Sequence, residues 1–293
     1  MAGVGVRLVA CCAALLVLLA CAGPDVSVAP GREAVRVAAV PPLRALEAEM
    51  AAGVPADLRP QERALFVRRG AGGAVWSASP LSRFDLTGVS WEGGRAALVT
   101  DRHVVFSAHT PTPRKGGTLT FYDRDGWPVT RRVTATAALP RLRGADLDAV
   151  VGLLDAPVTA GVAVYALPDS SALGDLAAAR PPVLVTFARG GRKPTGEVGW
   201  GAFATAATLA RVSAGGARVV YAERVALRHP SARHDAMWGD SGSPSFLATE
   251  DGLLLLSHYH TSEGAGAGPN YADPRVQGLL EDAIERLGAA DAP

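Results

Sequence analysis

From Leu86 onward the chain is written in short runs of β-branched and aromatic residues, and this pattern constrains its fold more than any other feature. The runs are "LTGVSW", "AALVTD", "TLTFYD", "PVTRRVTAT", "AVVGLLD", "VAVYALP", "PVLVTFA", "EVGWGAFAT", "ARVVYAERVAL", "PSFLAT" and "LLLLSHYHT". Such residues suit a pleated, half-buried surface, and the glycines and prolines between them end one strand and turn the chain into the next. No segment of helical period separates the runs, so the crossover helices of a parallel sheet have nowhere to sit. The expectation is an all-β barrel or sandwich. The chain ends differently. In "DPRVQGLLEDAIERLG" the apolar residues Val276, Leu279, Leu280, Ala283, Ile284 and Leu287 recur at helical spacing. Asp273 offers a cap, Pro274 fits the first helical position and Gly288 offers a stop.

The other end reads as an address. "MAGVGVRLVACCAALLVLLACAG" carries one positive charge, then an apolar run too short for a comfortable membrane span, then small residues, the layout of a secretory signal. The apolar run ends in Leu18-Leu19-Ala20-Cys21, which resembles the lipobox of bacterial lipoproteins and implies cleavage before Cys21 and a lipid on that cysteine. The three cysteines are Cys11, Cys12 and Cys21. Processing there removes two of them, so the exported part holds no disulfide and depends on its core. The expected organisation is a signal over 1–20, a tether over 21–80 that includes a short docking helix, "PLRALEAEMAAG", and a folded domain over 81–290. Lysine and arginine total 29 against 28 acids, a net charge of +1. Without a clustered positive surface a nucleic-acid partner is not expected.

Three motifs bear on chemistry. Taken alone, Gly239-Asp240-Ser241-Gly242 reads as a turn between strands. Upstream, "VTDRHVVFSAHT" delivers His109 after a strand, and "DAVVGLLDAPV" starts an apolar strand at Asp148. Together, and in the order His, Asp, Ser, they resemble the motifs of chymotrypsin-like serine proteases. The resemblance spans residues 81 to 290 and implies two six-stranded antiparallel β-barrels finished by the C-terminal α-helix. It implies a serine endopeptidase, with Ser241 as nucleophile, His109 as its base and Asp148 as the carboxylate that holds the imidazole in one tautomer. The backbone N–H groups of Gly239 and Ser241 would face the oxyanion, and Asp235, six residues before the nucleophile, would floor a pocket for a basic side chain. Ser243 replaces the family's usual glycine, and Thr110 and Met237 stand where many members carry cysteines.

Other readings of these residues remain. Asp146 also fits a loop entering the strand, although the family register favours Asp148, and a one-residue shift would reverse its face. His258 and His260 share a strand face, but spacing supplies no third ligand, so no metal and no cofactor are expected. His103, His229 and His234 read as surface or structural. The expected partner is a protein or peptide substrate, with the membrane engaged through the lipid alone and the chain placed at the cell envelope. A different class of function, a non-catalytic binding module that keeps the barrel, fits the same strands.

Overall fold

The computed structural model describes residues 66–69, 73–76, 84–110, 113–142, 145–158, 161–169, 182–192, 198–213, 216–222, 241–249, 252–260 and 266–289. The signal, the proposed docking helix, Cys21, Asp235, Met237 and Gly239 lie outside them. The strands are β1 (Phe66–Arg69), β2 (Gly73–Trp76), β3 (Val89–Ser90), β4 (Ala96–Leu98), β5 (His103–Ser107), β6 (Thr118–Tyr122) and β7 (Pro128–Ala138), followed by β8 (Ala149–Leu154), β9 (Pro182–Arg192) and β10 (Val198–Ser213). Then come β11 (Arg218–Ala222), β12 (Pro244–Thr249), β13 (Gly252–His258), β14 (Ala267–Pro269) and one helix, α1 (Pro274–Ala289).

Six strands form an antiparallel sheet in the order β3-β4-β5-β8-β7-β6. It curls until its edges nearly meet: Trp91 donates its N–H to the Thr120 carbonyl at 3.0 Å, and Thr120 returns one to Glu92 at 3.1 Å. The result is a nearly closed six-stranded barrel. Strands β4 and β5 are buried along their whole length, because each serves two cores. Leu98, Val104 and Phe106 point into one cluster with Leu119, Phe121, Val133 and Leu154. Their neighbours Ala97, Val99 and Val105 face a larger cluster that includes Phe246 and Leu255 of the other sheet and Val276, Leu280 and Leu287 of α1. Continuous apolar runs such as "AALV" are what a strand buried on both faces requires.

Gly152 shows how tightly the barrel is filled. A β-carbon there would lie 3.0 Å from Phe106 Cε1, 3.1 Å from Val104 Cγ2 and 3.3 Å from Val133 Cγ1. Gly152→Val should therefore cost about 1–3 kcal/mol by overpacking, read as a lower denaturant midpoint. Gly278 in α1 has open space around it, so Gly278→Ala should instead add roughly 0.5–1 kcal/mol.

The second sheet has eight strands, in the order β13-β12-β9-β10-β1-β2, with β11 beside β10 and β14 beside β11. No strand pairing among the described residues joins β13 to β2 or to β14, so a second closed barrel is not shown there. The hairpin of β1 and β2 pairs with β10, so residues N-terminal to the expected domain start at 81 add strands to this sheet. The run "VAVYALP" forms no strand and joins no sheet. Tyr165 donates its N–H to Leu98 at 3.0 Å, and Ala166 accepts one from Leu255 at 2.9 Å, which makes the segment a strut between the two sheets. Helix α1 starts as expected: Asp273 Oδ1 accepts the Arg275 N–H at 2.9 Å. It then runs through Gly288 to Ala289. Val276, Leu280, Ala283 and Leu287 are its buried stripe. No helix among the described residues is long and apolar enough to cross a membrane.

Candidate active site

His109 and Asp148 meet because their strands are neighbours. In the register of β5 and β8, Ser107 lies opposite Ala149, so Ala108, one past the end of β5, faces Asp148, one before β8, and His109 follows directly. His109 Nδ1 lies 2.6 Å from Asp148 Oδ2, and the His109 backbone N–H reaches Oδ1 at 2.9 Å. Ser107 Oγ donates to Asp148 Oδ2 and lies 2.8 Å from His109 Nδ1. The carboxylate side chain is 6% exposed and the imidazole 44%, so a buried acid orients an accessible imidazole.

The backbone at Asp148 is bent to do this. Its φ of 50° is the one positive value at a non-glycine residue among those described, a conformation that aspartate tolerates better than most residues. Three hydrogen bonds hold it. Asp146 Oδ1 accepts the Asp148 N–H at 2.9 Å, and the Asp148 carbonyl accepts from the Ala108 N–H at 2.9 Å and from His258 Nε2–H at 3.0 Å. Between the two candidate acids, Asp148 is therefore the one that touches His109. Asp146 is a turn-former at the surface, 3.6 Å from Arg141.

Ser241 sits on the loop that leads into β12. The Gly242 N–H donates to the Tyr259 carbonyl at 2.7 Å, and the Tyr259 N–H to Ser243 at 2.8 Å, which seats the loop beside the end of β13. Gly242 has φ 83°, and a β-carbon on it would lie 3.3 Å from Ser107 Cβ. The serine loop thus packs against the residue that bridges His109 and Asp148. Among the described residues no hydrogen bond joins Ser241 to His109. Ser243 is fully buried.

Two histidines complete the site. His258 is buried, donates to the Asp148 carbonyl and lies 2.7 Å from the Tyr271 hydroxyl through Nδ1. His260 Nε2 is 3.8 Å from Asp148 Oδ2, and its ring centroid is 5.3 Å from that of His109. One atom each from His109, Asp148 and His260 lie within 4.8 Å of one another. His260, but not His258, thus belongs to a group of three donor residues, and its two partners come from the other sheet. Tyr271 and the Ser107 hydroxyl carry no motif of their own. His103 is buried, with Nδ1 2.7 Å from Thr100 Oγ1 in the turn before β5, a structural role.

Charge follows from these contacts. Burial works to raise the Asp148 carboxyl, but hydrogen bonds from Ser107 and His109, with His260 and His258 nearby, outweigh it and hold the group below the usual carboxylate range. Burial lowers His260, and it pushes His258 down from 6.5 to about 4 against the pull of Asp148. At neutral pH both are neutral. A histidine depressed in the folded state binds its proton more readily when unfolded, so stability falls as pH drops from about 6.5 toward 4. Urea midpoints should show a loss on the order of 2–3 kcal/mol over that window, and His258→Asn should flatten the dependence.

No family model and no curated protein sequence matches the chain.

Proposed function

We propose that the chain is a serine endopeptidase with His109, Asp148 and Ser241 as its triad. The observation that carries this reading is the 2.6 Å contact between His109 Nδ1 and Asp148 Oδ2, with the second carboxylate oxygen on the His109 backbone N–H. With Nδ1–H committed to a buried, charged acid, Nε2 keeps its lone pair for the proton of an attacking hydroxyl. The packing of Gly242 against Ser107 brings the Ser241 loop to the same place.

On this reading Ser241 Oγ attacks the scissile carbonyl as its proton passes to His109. The imidazolium is stabilised by Asp148, then protonates the departing amine. Water, activated by the same nitrogen, releases the acyl group. Backbone N–H groups of Gly239 and Ser241 stabilise the oxyanion, each for about 3 kcal/mol. The eight-stranded sheet is read as the second of two six-stranded barrels in a chymotrypsin-like fold, extended by the hairpin 66–76. Asp235 is read as the floor of the pocket that selects a basic side chain. The substrate is a protein or peptide, and lipid on Cys21 holds the enzyme at the cell envelope.

Cleavage of a mixed peptide library tests the reading. The expected result is cleavage after lysine or arginine, lost in Ser241→Ala and stripped of its basic preference in Asp235→Ser. Library peptides left intact by the unaltered chain would point instead to a binding module.

A further inference from the structure

We propose that His109, Asp148 and His260 form an inhibitory site for a divalent metal of the zinc class. The inhibitory effect rests on the reading of Ser241 as nucleophile, but the binding does not. His260 motivates the site. Its Nδ1 is buried without a hydrogen-bond partner among the described residues, and its Nε2 stands 3.8 Å from Asp148 Oδ2, too far for a hydrogen bond. The ring is held at a buried carboxylate yet bonds to nothing among the described residues. Two imidazoles and a carboxylate are a donor set that zinc favours.

The spacing is close to what the ion needs. With metal–ligand distances of about 2.0–2.1 Å, tetrahedral ligands lie roughly 3.3 Å apart. The His260–Asp148 pair closes from 3.8 Å and the His109–Asp148 pair opens from 2.6 Å, each a matter of side-chain rotation. The exposed side of His109 leaves room for water as the fourth ligand.

Binding and catalysis exclude each other through one proton. A ring nitrogen ligates a metal only through its lone pair, so Nδ1 of a neutral His109 gives up its hydrogen and the ring keeps its one proton on Nε2. That nitrogen then has nothing with which to accept the Ser241 proton, and Asp148 is turned from orienting a base to holding an ion. No bond is made or broken beyond this tautomer shift and the metal–ligand contacts.

The test titrates zinc chloride into the full chain by calorimetry, with Cys11, Cys12 and Cys21 changed to serine to remove thiolate ligands and Ser241→Ala to silence turnover. One ion is expected to bind per chain. His260→Ala should weaken binding on the order of 100-fold, and His260→Asp, which returns an oxygen ligand, should bind more tightly than His260→Ala. Equal affinity in all three, or no binding up to about 1 mM, overturns the site. In the chain that retains Ser241, zinc should suppress labelling by a fluorophosphonate in proportion to occupancy; full labelling at saturating zinc overturns the inhibition. A chain that binds zinc but never labels retains the metal site and refutes the triad.

Discussion

Replacing Asp148 with asparagine should cut kcat for peptide hydrolysis by about 10⁴-fold while the chain remains folded. The size of the loss follows from which hydrogen bonds each oxygen makes. Oδ1 accepts the His109 backbone N–H at 2.9 Å, and Oδ2 lies 2.6 Å from Nδ1. If the asparagine oxygen keeps the first contact, its NH₂ group occupies the second position and donates to Nδ1. The imidazole is then driven into the tautomer with its proton on Nε2, where it cannot act as a base. Shape and packing barely change, so binding should change far less than turnover. A kcat within tenfold of the unaltered chain would mean that Asp148 does not set the tautomer.

Trp91→Ala should lower stability by about 3–5 kcal/mol, the cost of truncating a large, fully buried aromatic. Trp91 is 1% exposed and belongs to the cluster shared by the barrel, the second sheet and α1. Its backbone also forms part of the seam at which the barrel nearly closes. Urea denaturation followed by circular dichroism measures the effect. Trp127, which is 64% exposed in the turn between β6 and β7, is the natural control: its replacement by alanine should cost no more than roughly 0.5 kcal/mol.

What the sequence reveals about this fold depends on how local the cause is. The all-β body and α1 are legible because burial imposes a period on successive residues: both faces of β4 and β5 are covered, so their runs are continuous, and one stripe of α1 is covered, so its apolar residues recur every three or four positions. Strand β14 carries no such signal. It is three residues long, and Gly268 is there because a β-carbon would lie 1.9 Å from the His258 carbonyl oxygen. The run 162–168 looks like a strand because a half-buried strut between two sheets asks for the same residues. Its hydrogen bonds go to two different sheets rather than along one ladder.

The site divides in the same way. The pairing of His109 with Asp148 is legible through motif and register, and the preference for Asp148 over Asp146 comes from the motif, since residues two apart share a strand face. The convergence of His258 and His260 on Asp148 is not legible, since 110 residues separate His258 from its partner and only the meeting of two sheets brings them together. The Ser107 hydroxyl is hidden for the same reason: in "SAHT" it reads as a small residue, and its bond to the carboxylate exists only in three dimensions. Gly239 and Asp235 lie outside the described residues, so their roles rest on the motif.

Labelling of the full chain by a fluorophosphonate, with the adduct located by mass spectrometry, tests the central claim most directly. Such a probe bonds only to a serine whose proton is taken by a neighbouring base. The account predicts one adduct, on Ser241, retained in Ser243→Ala because Ser243 is fully buried and lost in Ser241→Ala and in His109→Ala. An adduct that survives in Ser241→Ala, or a chain that takes up no probe at all, would contradict it.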